Sequence, residues 1–284
     1  MERQPIVAGR FYPASADECK KALENFMQNA RPQDPTSYGG IVPHAGWIYS
    51  GATAACVYAA LQTATQPETV VIVGAVHHWG VDHASVYPDG TWRTPLGAIE
   101  IDAELAAILV QDSESQVVSS AKAHANEHAI EVQVPFVQYC LPNAQLLPIS
   151  VPPNEQAPAI GAAIARAAKK LGRRIVIIAS TDLTHYGAPY GFAPAGYGNQ
   201  ALDWTHQNDQ HFIDLVCSMD ANNIMSEASL HRNACGAGAV AAAIGCAQNL
   251  GSTGAKLLHY TTSHEVDPIG EPAVMVGYAA IAFI

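Results

Sequence analysis

The stretch VVIVGAVHHWG, residues 70–80, decides the fold class of this 284-residue chain. Its first four residues are all apolar and β-branched, which is typical of a strand that is buried on both faces of a sheet. We therefore predict a strand over residues 69–76. The stretch ends in two adjacent histidines and a tryptophan. In open parallel sheets ligands bind at the carboxyl ends of the strands, so these histidines indicate a site there.

Short β-branched runs alternate with longer helical patterns along the rest of the chain. A strand is predicted to end at Pro43, and further strands are predicted over 83–88, 144–151, 173–180, 256–263 and 273–283. Helices are predicted over 51–62, 102–112, 126–140, 156–172, 200–219 and 235–250. This alternation predicts an α/β fold with a mostly parallel central sheet flanked by helices on both faces. No repeat or linker divides the chain, so we expect one domain over residues 1–284.

Composition excludes several classes of function. The chain is 49% hydrophobic and 14% charged, with a mean hydropathy of +0.07, so it can bury a large core. Its formal net charge is -11, which disfavours binding to nucleic acid or to an anionic membrane. No apolar run has membrane-spanning length, the first residues lack the apolar core of a signal peptide, and the six scattered cysteines are predicted to be free thiols. We expect a soluble, cytoplasmic protein.

Histidines follow three of the predicted buried strands. His44 follows the first, His77 and His78 follow the second, and His185 follows the strand at 173–180. One such histidine alone more often caps its strand, but three equivalent positions favour a metal site. Cys235 stands at the entry to a glycine-rich helix, where the pKa of a thiol is lowered and the thiolate can bind a metal or act as a nucleophile. A small buried cysteine that packs beside glycines is an equally good interpretation.

Eight short motifs, in order, resemble one known family. They are VAGRFYP, VPHAGWIYSG, GAVHHWG, WRTPLG, NEHAIEVQVP, STDLTHYG, ACGAG and VGYAA. Together they resemble the Memo family, whose microbial members are called AmmeMemoRadiSam system protein B. That family is similar in fold to the class III extradiol ring-cleaving dioxygenases, so the resemblance implies an α/β core with one metal pocket.

The resemblance also implies roles for individual residues. His44, His77 and Cys235 match the family's metal ligands. The dioxygenases have a glutamate as the third ligand, and a thiolate in its place is softer and suits reduced copper as well as iron. Dioxygenase activity is therefore not implied by the fold. His185 matches a histidine that acts as an acid and base near the substrate, and Asp182 is expected either to orient His185 or a ligand or to cap its own backbone.

Several further residues are candidates for supporting the site. His78 is expected to be structural or to orient a ligand, because adjacent residues diverge in direction. Glu127, His128 and Glu131 could supply hydrogen bonds to the metal histidines or could be acids at a helix N-terminus. The resemblance favours His128 and Glu131 as pocket residues.

Arg93 could bind an anionic substrate, or it could pair with a surface acid. Trp47, Tyr49 and Trp79 could wall an aromatic site, but ordinary packing is the better interpretation of them. The Gly-, Pro- and Tyr-rich stretch 186–199 is predicted to be a lid or rim loop.

These observations predict a metal-dependent redox enzyme that acts on a small aromatic or phenolic molecule. Iron is the expected cofactor, with copper and zinc as alternatives. An adaptor that binds a peptide or phosphorylated ligand without turnover and a zinc hydrolase are the alternative functions. The family name implies a link to a radical-SAM protein and an AMMECR1-like protein. A dinucleotide or nucleoside triphosphate cofactor is not expected, because the chain has no phosphate-binding glycine pattern.

Overall fold

A computed structural model describes residues 1–30, 35–36, 38–64 and 66–284. The helices are α1 (Ala16–Asn29), α2 (Trp47–Ala64), α3 (Ala103–Gln111), α4 (Val134–Cys140), α5 (Ala157–Leu171), α6 (Asn199–Cys217), α7 (Ile224–His231), α8 (Ala237–Leu250) and α9 (Ser263–Val266). The strands are β1 (Glu2–Arg3), β2 (Gly39–Val42), β3 (Thr69–Gly74), β4 (Ser85–Val86), β5 (Thr91–Thr94), β6 (Gly97–Glu100), β7 (Val118–Ser119), β8 (Gln145–Ser150), β9 (Ile175–Ser180), β10 (His185–Tyr186), β11 (Ala255–Thr262) and β12 (Met275–Phe283).

The main sheet has a parallel centre with mixed strands at its edges. Within the described ranges its order is β10–β12–β2–β9–β3–β8–β4–β7, and β11 also pairs with β12. Strands β2, β9, β3 and β8 are parallel to one another, as predicted, whereas β12 and β4 join this centre antiparallel. A small separate sheet contains β1, β5 and β6. The carboxyl ends of β2, β3 and β9 therefore lie side by side.

Both faces of the central sheet are buried, as the all-apolar strand sequences predict. Along β3, Val71 and Val73 pack into the core under α5 and α8, whereas Val70 and Ile72 pack into the core under α2 and α4. This alternation follows from the two-residue period of a strand. Helices α5 and α8 approach closely at Gly161, which has no side chain. A Cβ at this position would lie only 1.9 Å from the carbonyl oxygen of Ala242.

The prediction of a helix over residues 126–140 is wrong for its first half. Residues 126–130 are turn and irregular backbone, a short 3-10 helix covers Glu131–Gln133, and the α-helix begins only at Val134. The Glu127 carboxylate accepts hydrogen bonds from the backbone N–H groups of His128 and Ala129 at 2.8 and 3.0 Å, which competes with helix formation. Pro135 lies in the first turn of α4, where its missing N–H has no cost.

No helix in the described part of the chain is long and apolar enough to cross a membrane.

Candidate metal centre

His44 follows β2 and is 1% exposed. Its Nδ1 lies 3.1 Å from the Ser180 hydroxyl oxygen. That hydroxyl donates its own proton to the carbonyl of Ala129 at 2.7 Å, so it accepts from Nδ1–H of His44. The other ring nitrogen, Nε2, lies 3.3 Å from Sγ of Cys235 and is the atom that can bind a metal once it carries no proton.

His77 follows β3 and is held from two sides by one carboxylate. Its backbone N–H donates to Oε2 of Glu127 at 2.7 Å, and its Nδ1 lies 2.9 Å from Oε1. A carboxylate can only accept a hydrogen bond, so the contact places a proton on Nδ1 and leaves Nε2 as the nitrogen that can bind a metal. The ligand atoms of His44, His77 and Cys235 all lie within 4.8 Å of one another. Carboxylate–histidine pairs of this kind commonly orient metal ligands.

Cys235 lies just before α8, against the end of β9. Its backbone N–H donates to the carbonyl of Asp182 at 3.2 Å, and the N–H of Asp182 donates to Sγ at 3.3 Å. A Cβ at position 236 would lie 2.8 Å from the carbonyl oxygen of Ser180, so Gly236 allows this close approach. The predicted position of Cys235 at a helix entry is confirmed.

The electrostatics of the cluster favour a thiolate. Burial alone raises the pKa of the Cys235 thiol, but the neighbouring His44 and His77 outweigh it and lower that pKa overall. Burial likewise opposes a charge on His44, but Asp182 and Cys235 raise its pKa above the ordinary value. The cluster thus stabilises positive charge beside a thiolate, and a metal cation can take the place of the histidine protons.

The Asp182 side chain holds the backbone at His44 and does not cap its own backbone. Its Oδ1 accepts from the N–H groups of His44 and Ala45 at 2.7 and 3.2 Å. His185 lies farther along the same segment, with Nδ1 3.0 Å from the carbonyl of Leu183. That contact places the proton of the neutral ring on Nδ1 and leaves Nε2 as an acceptor.

A cleft of about 620 Å³ opens beside these residues. Its histidines are His44, His77, His128, His185 and His264. Four aromatic side chains also line it, and these are Phe11, Tyr49, Tyr190 and Tyr278. The charged side chains on its described wall are the acids Asp182 and Asp267, with no lysine or arginine. Of the predicted rim loop 186–199, the structure places Tyr190 on the cleft wall.

The structure separates the two acids that the sequence analysis considered together. Glu127 is the carboxylate that holds His77, whereas Glu131 is not among the residues lining the cleft. The Glu131 carboxylate accepts from the N–H groups of Ile6 and Val7 and from the Tyr12 hydroxyl, each at 2.9 Å, and pairs with Arg3 at 2.7 Å. Glu131 therefore anchors the N-terminal segment.

His128 lines the cleft, and its ring stacks on His77 with centroids 4.7 Å apart. His78 is exposed instead, with Nε2 bonded to the carbonyl of Asn126. It lines a separate depression together with the fully exposed Trp79. Trp47 is buried in the core, so of the three aromatic candidates the structure places only Tyr49 on the described cleft wall.

Arg93 lies outside the cleft. Arg93 is on β5 of the small sheet, and its Nη2 donates to Glu2 on β1 at 3.1 Å. This corrects the expectation that it contacts an anion in the pocket and matches the surface-pair alternative. The side chains that sequence reasoning missed are Ser180, which holds His44, and Phe11, His264 and Asp267 on the cleft wall. Ser180 begins the STDLTHYG motif and Phe11 lies within VAGRFYP, whereas His264 and Asp267 stand in a stretch without a chemical pattern.

Comparison with known proteins adds a family to this geometry. The model of the Memo-like protein family matches residues 3–282. A MEMO1 family protein from Thermococcus kodakarensis is 39% identical over 295 residues, covering 100% of this chain and 99% of the relative. A second from Pyrococcus abyssi is 37% identical and covers 99% of both chains. A third from Methanopyrus kandleri is also 37% identical.

The fold also matches a solved structure. The crystal structure of an uncharacterized protein from Escherichia coli K12 superposes with a TM-score of 0.50 at 12% identity, over 78% of this chain and 88% of the other. At that level of identity the match shows the α/β fold alone.

Proposed function

The chain belongs to the Memo family, and we propose that it binds iron or copper in the cleft and oxidises a small aromatic molecule there. The ligands in this proposal are Nε2 of His44, Nε2 of His77 and Sγ of Cys235. The observation that carries the proposal is the convergence of these three atoms, since Ser180 and Glu127 hold the opposite nitrogens of the two rings.

The donor set supports a redox metal. Two imidazoles and a thiolate suit iron and copper, and the soft thiolate favours reduced copper more than a carboxylate would. The same donors also bind zinc, and analysis of the bound metal distinguishes the three ions. When bound, iron or copper would supply one-electron redox chemistry. Cys235 is partly exposed, and the set of three protein donors leaves room for a further ligand.

The cleft wall supports a phenolic substrate. Phe11, Tyr49, Tyr190 and Tyr278 offer aromatic faces to a ring. Since the described wall carries Asp182 and Asp267 but no lysine or arginine, a neutral or cationic molecule fits better than a carboxylate or phosphate. In this proposal Nε2 of His185 accepts the proton of a bound phenol, which a neutral imidazole can do near physiological pH.

The test begins with metal content. Protein purified without oxygen is analysed by mass spectrometry beside His44→Ala, Cys235→Ala and the control His83→Ala, which removes an exposed histidine outside the cluster. We expect near-stoichiometric iron or copper in the wild type and the control and its loss in both cluster variants. A wild type that is metal-free and takes up no added Fe(II), Cu(I) or Zn(II) would contradict the proposal.

Turnover is tested next, by following oxygen consumption with a series of catechols that differ in charge. We expect metal-dependent oxidation of neutral or cationic members, lost in His185→Ala with metal content retained. Activity with zinc and without oxygen would instead indicate a hydrolase. Peptide binding that survives Cys235→Ala would instead indicate an adaptor.

A further inference from the structure

A second group of potential metal ligands lies outside the cleft, between two neighbouring helices. His211 is on α6, and Glu227 and His231 are on α7. One ligand atom from each lies within 4.8 Å of the others. The rings of His211 and His231 are 5.8 Å apart and nearly perpendicular. None of the three belongs to the cleft wall.

The acid of this group is already oriented. Oε1 of Glu227 accepts from Nδ2 of Asn233 at 2.9 Å, so the carboxylate is fixed by a buried amide. The other oxygen, Oε2, lies 3.7 Å from Nε2 of His231. Residues four apart on a helix share one face, which places both side chains toward the same point.

We propose that His211, Glu227 and His231 form a second metal site that binds a divalent cation of the zinc type between α6 and α7. Two imidazoles and a carboxylate are a common zinc donor set, and three protein ligands leave a position for water. Ligands on a tetrahedral zinc lie roughly 3.3 Å apart. The separation of His231 from Glu227 is close to this, and the exposed ring of His211 can rotate to complete the site.

The chemistry of the two sites differs. The cleft group contains a thiolate, which favours softer metals, whereas the α6–α7 group contains only imidazole and carboxylate donors. The helix site also adjoins the loop that carries Cys235. Asn233, which holds Glu227, is two residues before that cysteine and also donates to the carbonyl of Asn208 on α6 at 2.9 Å. A cation on Glu227 would therefore brace α6, α7 and this loop together.

The test is a calorimetric titration with zinc chloride in a His44→Ala/His77→Ala/Cys235→Ala background, which removes the three cleft ligands and also breaks up the neighbouring group of His77, Glu127 and His128. Since even loss of an outer hydrogen-bond partner weakens metal binding about 10–100-fold, removal of a ligand should weaken it at least about tenfold. We expect one equivalent of zinc to bind in this background, and both His211→Ala and Glu227→Gln to weaken it by that factor. His83→Ala, which removes another exposed histidine, should leave it unchanged.

Thermal unfolding gives a second readout. Zinc should raise the melting temperature of the background protein and not that of its His211→Ala derivative, because a ligand that binds only the folded state stabilises it. Since the His211 side chain is exposed, its removal should not unfold the protein. The proposal would be overturned if the background protein bound no zinc, or if His211→Ala and Glu227→Gln bound zinc as tightly as the background protein does.

Discussion

Replacing Glu127 by glutamine should weaken metal binding in the cleft without unfolding the protein. In the wild type Oε1 of Glu127 accepts from Nδ1 of His77 and two backbone N–H groups, and Oε2 accepts from the N–H of His77. A glutamine retains an oxygen for three of these donors but turns an NH₂ group toward the fourth. One buried donor without an acceptor costs about 1–3 kcal/mol.

The effect on metal affinity follows from the orientation of His77. Loss of a carboxylate partner of a metal-binding histidine costs about 10–100-fold in affinity, or about 1.4–2.8 kcal/mol. The assay is an anaerobic Co(II) titration followed by the thiolate-to-cobalt absorption band. That band reports the site containing Cys235 and is insensitive to the histidine–carboxylate group on α6 and α7.

Glu131→Gln is the matched control, since it changes a buried acid in the same motif that lies off the cleft. It should leave cobalt affinity unchanged but destabilise the protein by about 3–5 kcal/mol, because it leaves the buried Arg3 guanidinium without its carboxylate. Urea unfolding measures this. Unchanged cobalt affinity in Glu127→Gln, or an equal loss in Glu131→Gln, would contradict this prediction.

Three further predictions concern stability and the loop at Cys235. Burial lowers the pKa of His124 to about 4, so the free energy of unfolding should fall by about 3 kcal/mol as pH falls from 6.5 through 4. Urea unfolding should show a smaller fall in His124→Gln. Burial raises the pKa of Asp209 to about 6, so the stability that this residue contributes to the folded state has the opposite pH dependence and is lost as pH rises from 3.8 through 6. Asp209→Asn should remove this pH dependence from the free energy of unfolding. An unchanged pH profile in the variant would contradict the prediction. Gly236→Ala should displace Cys235 from β9, lower the Co(II) affinity and destabilise the fold by about 1–3 kcal/mol, as measured by titration and urea unfolding.

Sequence-based prediction was most accurate for the central strands and for the residues that follow them, because the hydrophobic period determines their structure. The parallel centre of the sheet and the positions of His44 and His77 follow from strands such as β3, whose residues are apolar on both faces. Parallel strands share one edge, so residues distant in sequence come together there without any local signal. The thiol of Cys235 meets His44 because the start of α8 packs against the end of β9.

Prediction failed where a side chain forms hydrogen bonds to the backbone in place of a helix, or where contacts between residues distant in sequence determine the position of a side chain. Periodicity could not distinguish Glu127 from Glu131, because both fit one helical face that does not form. Glu131 accepts hydrogen bonds from the N-terminal residues Ile6 and Val7, more than 120 positions away. Nothing in the sequence around Glu131 indicates this contact. Arg93 likewise pairs with Glu2 across a small sheet that periodicity did not reveal.

The incorrectly predicted segment is also the one that orients both His44 and His77. The Glu127 carboxylate stabilises the turn at 126–130 through the N–H of Ala129 and holds His77 directly. The carbonyl of Ala129 in that turn accepts from Ser180, whose oxygen in turn holds Nδ1 of His44. In a regular helix the Ala129 carbonyl would lie along the helix axis toward the N–H four residues on, and the Glu127 carboxylate would not face the N–H of Ala129. The turn that replaces this helix thus joins the supports of His44 and His77, in keeping with the tendency of local rules to fail at functional sites.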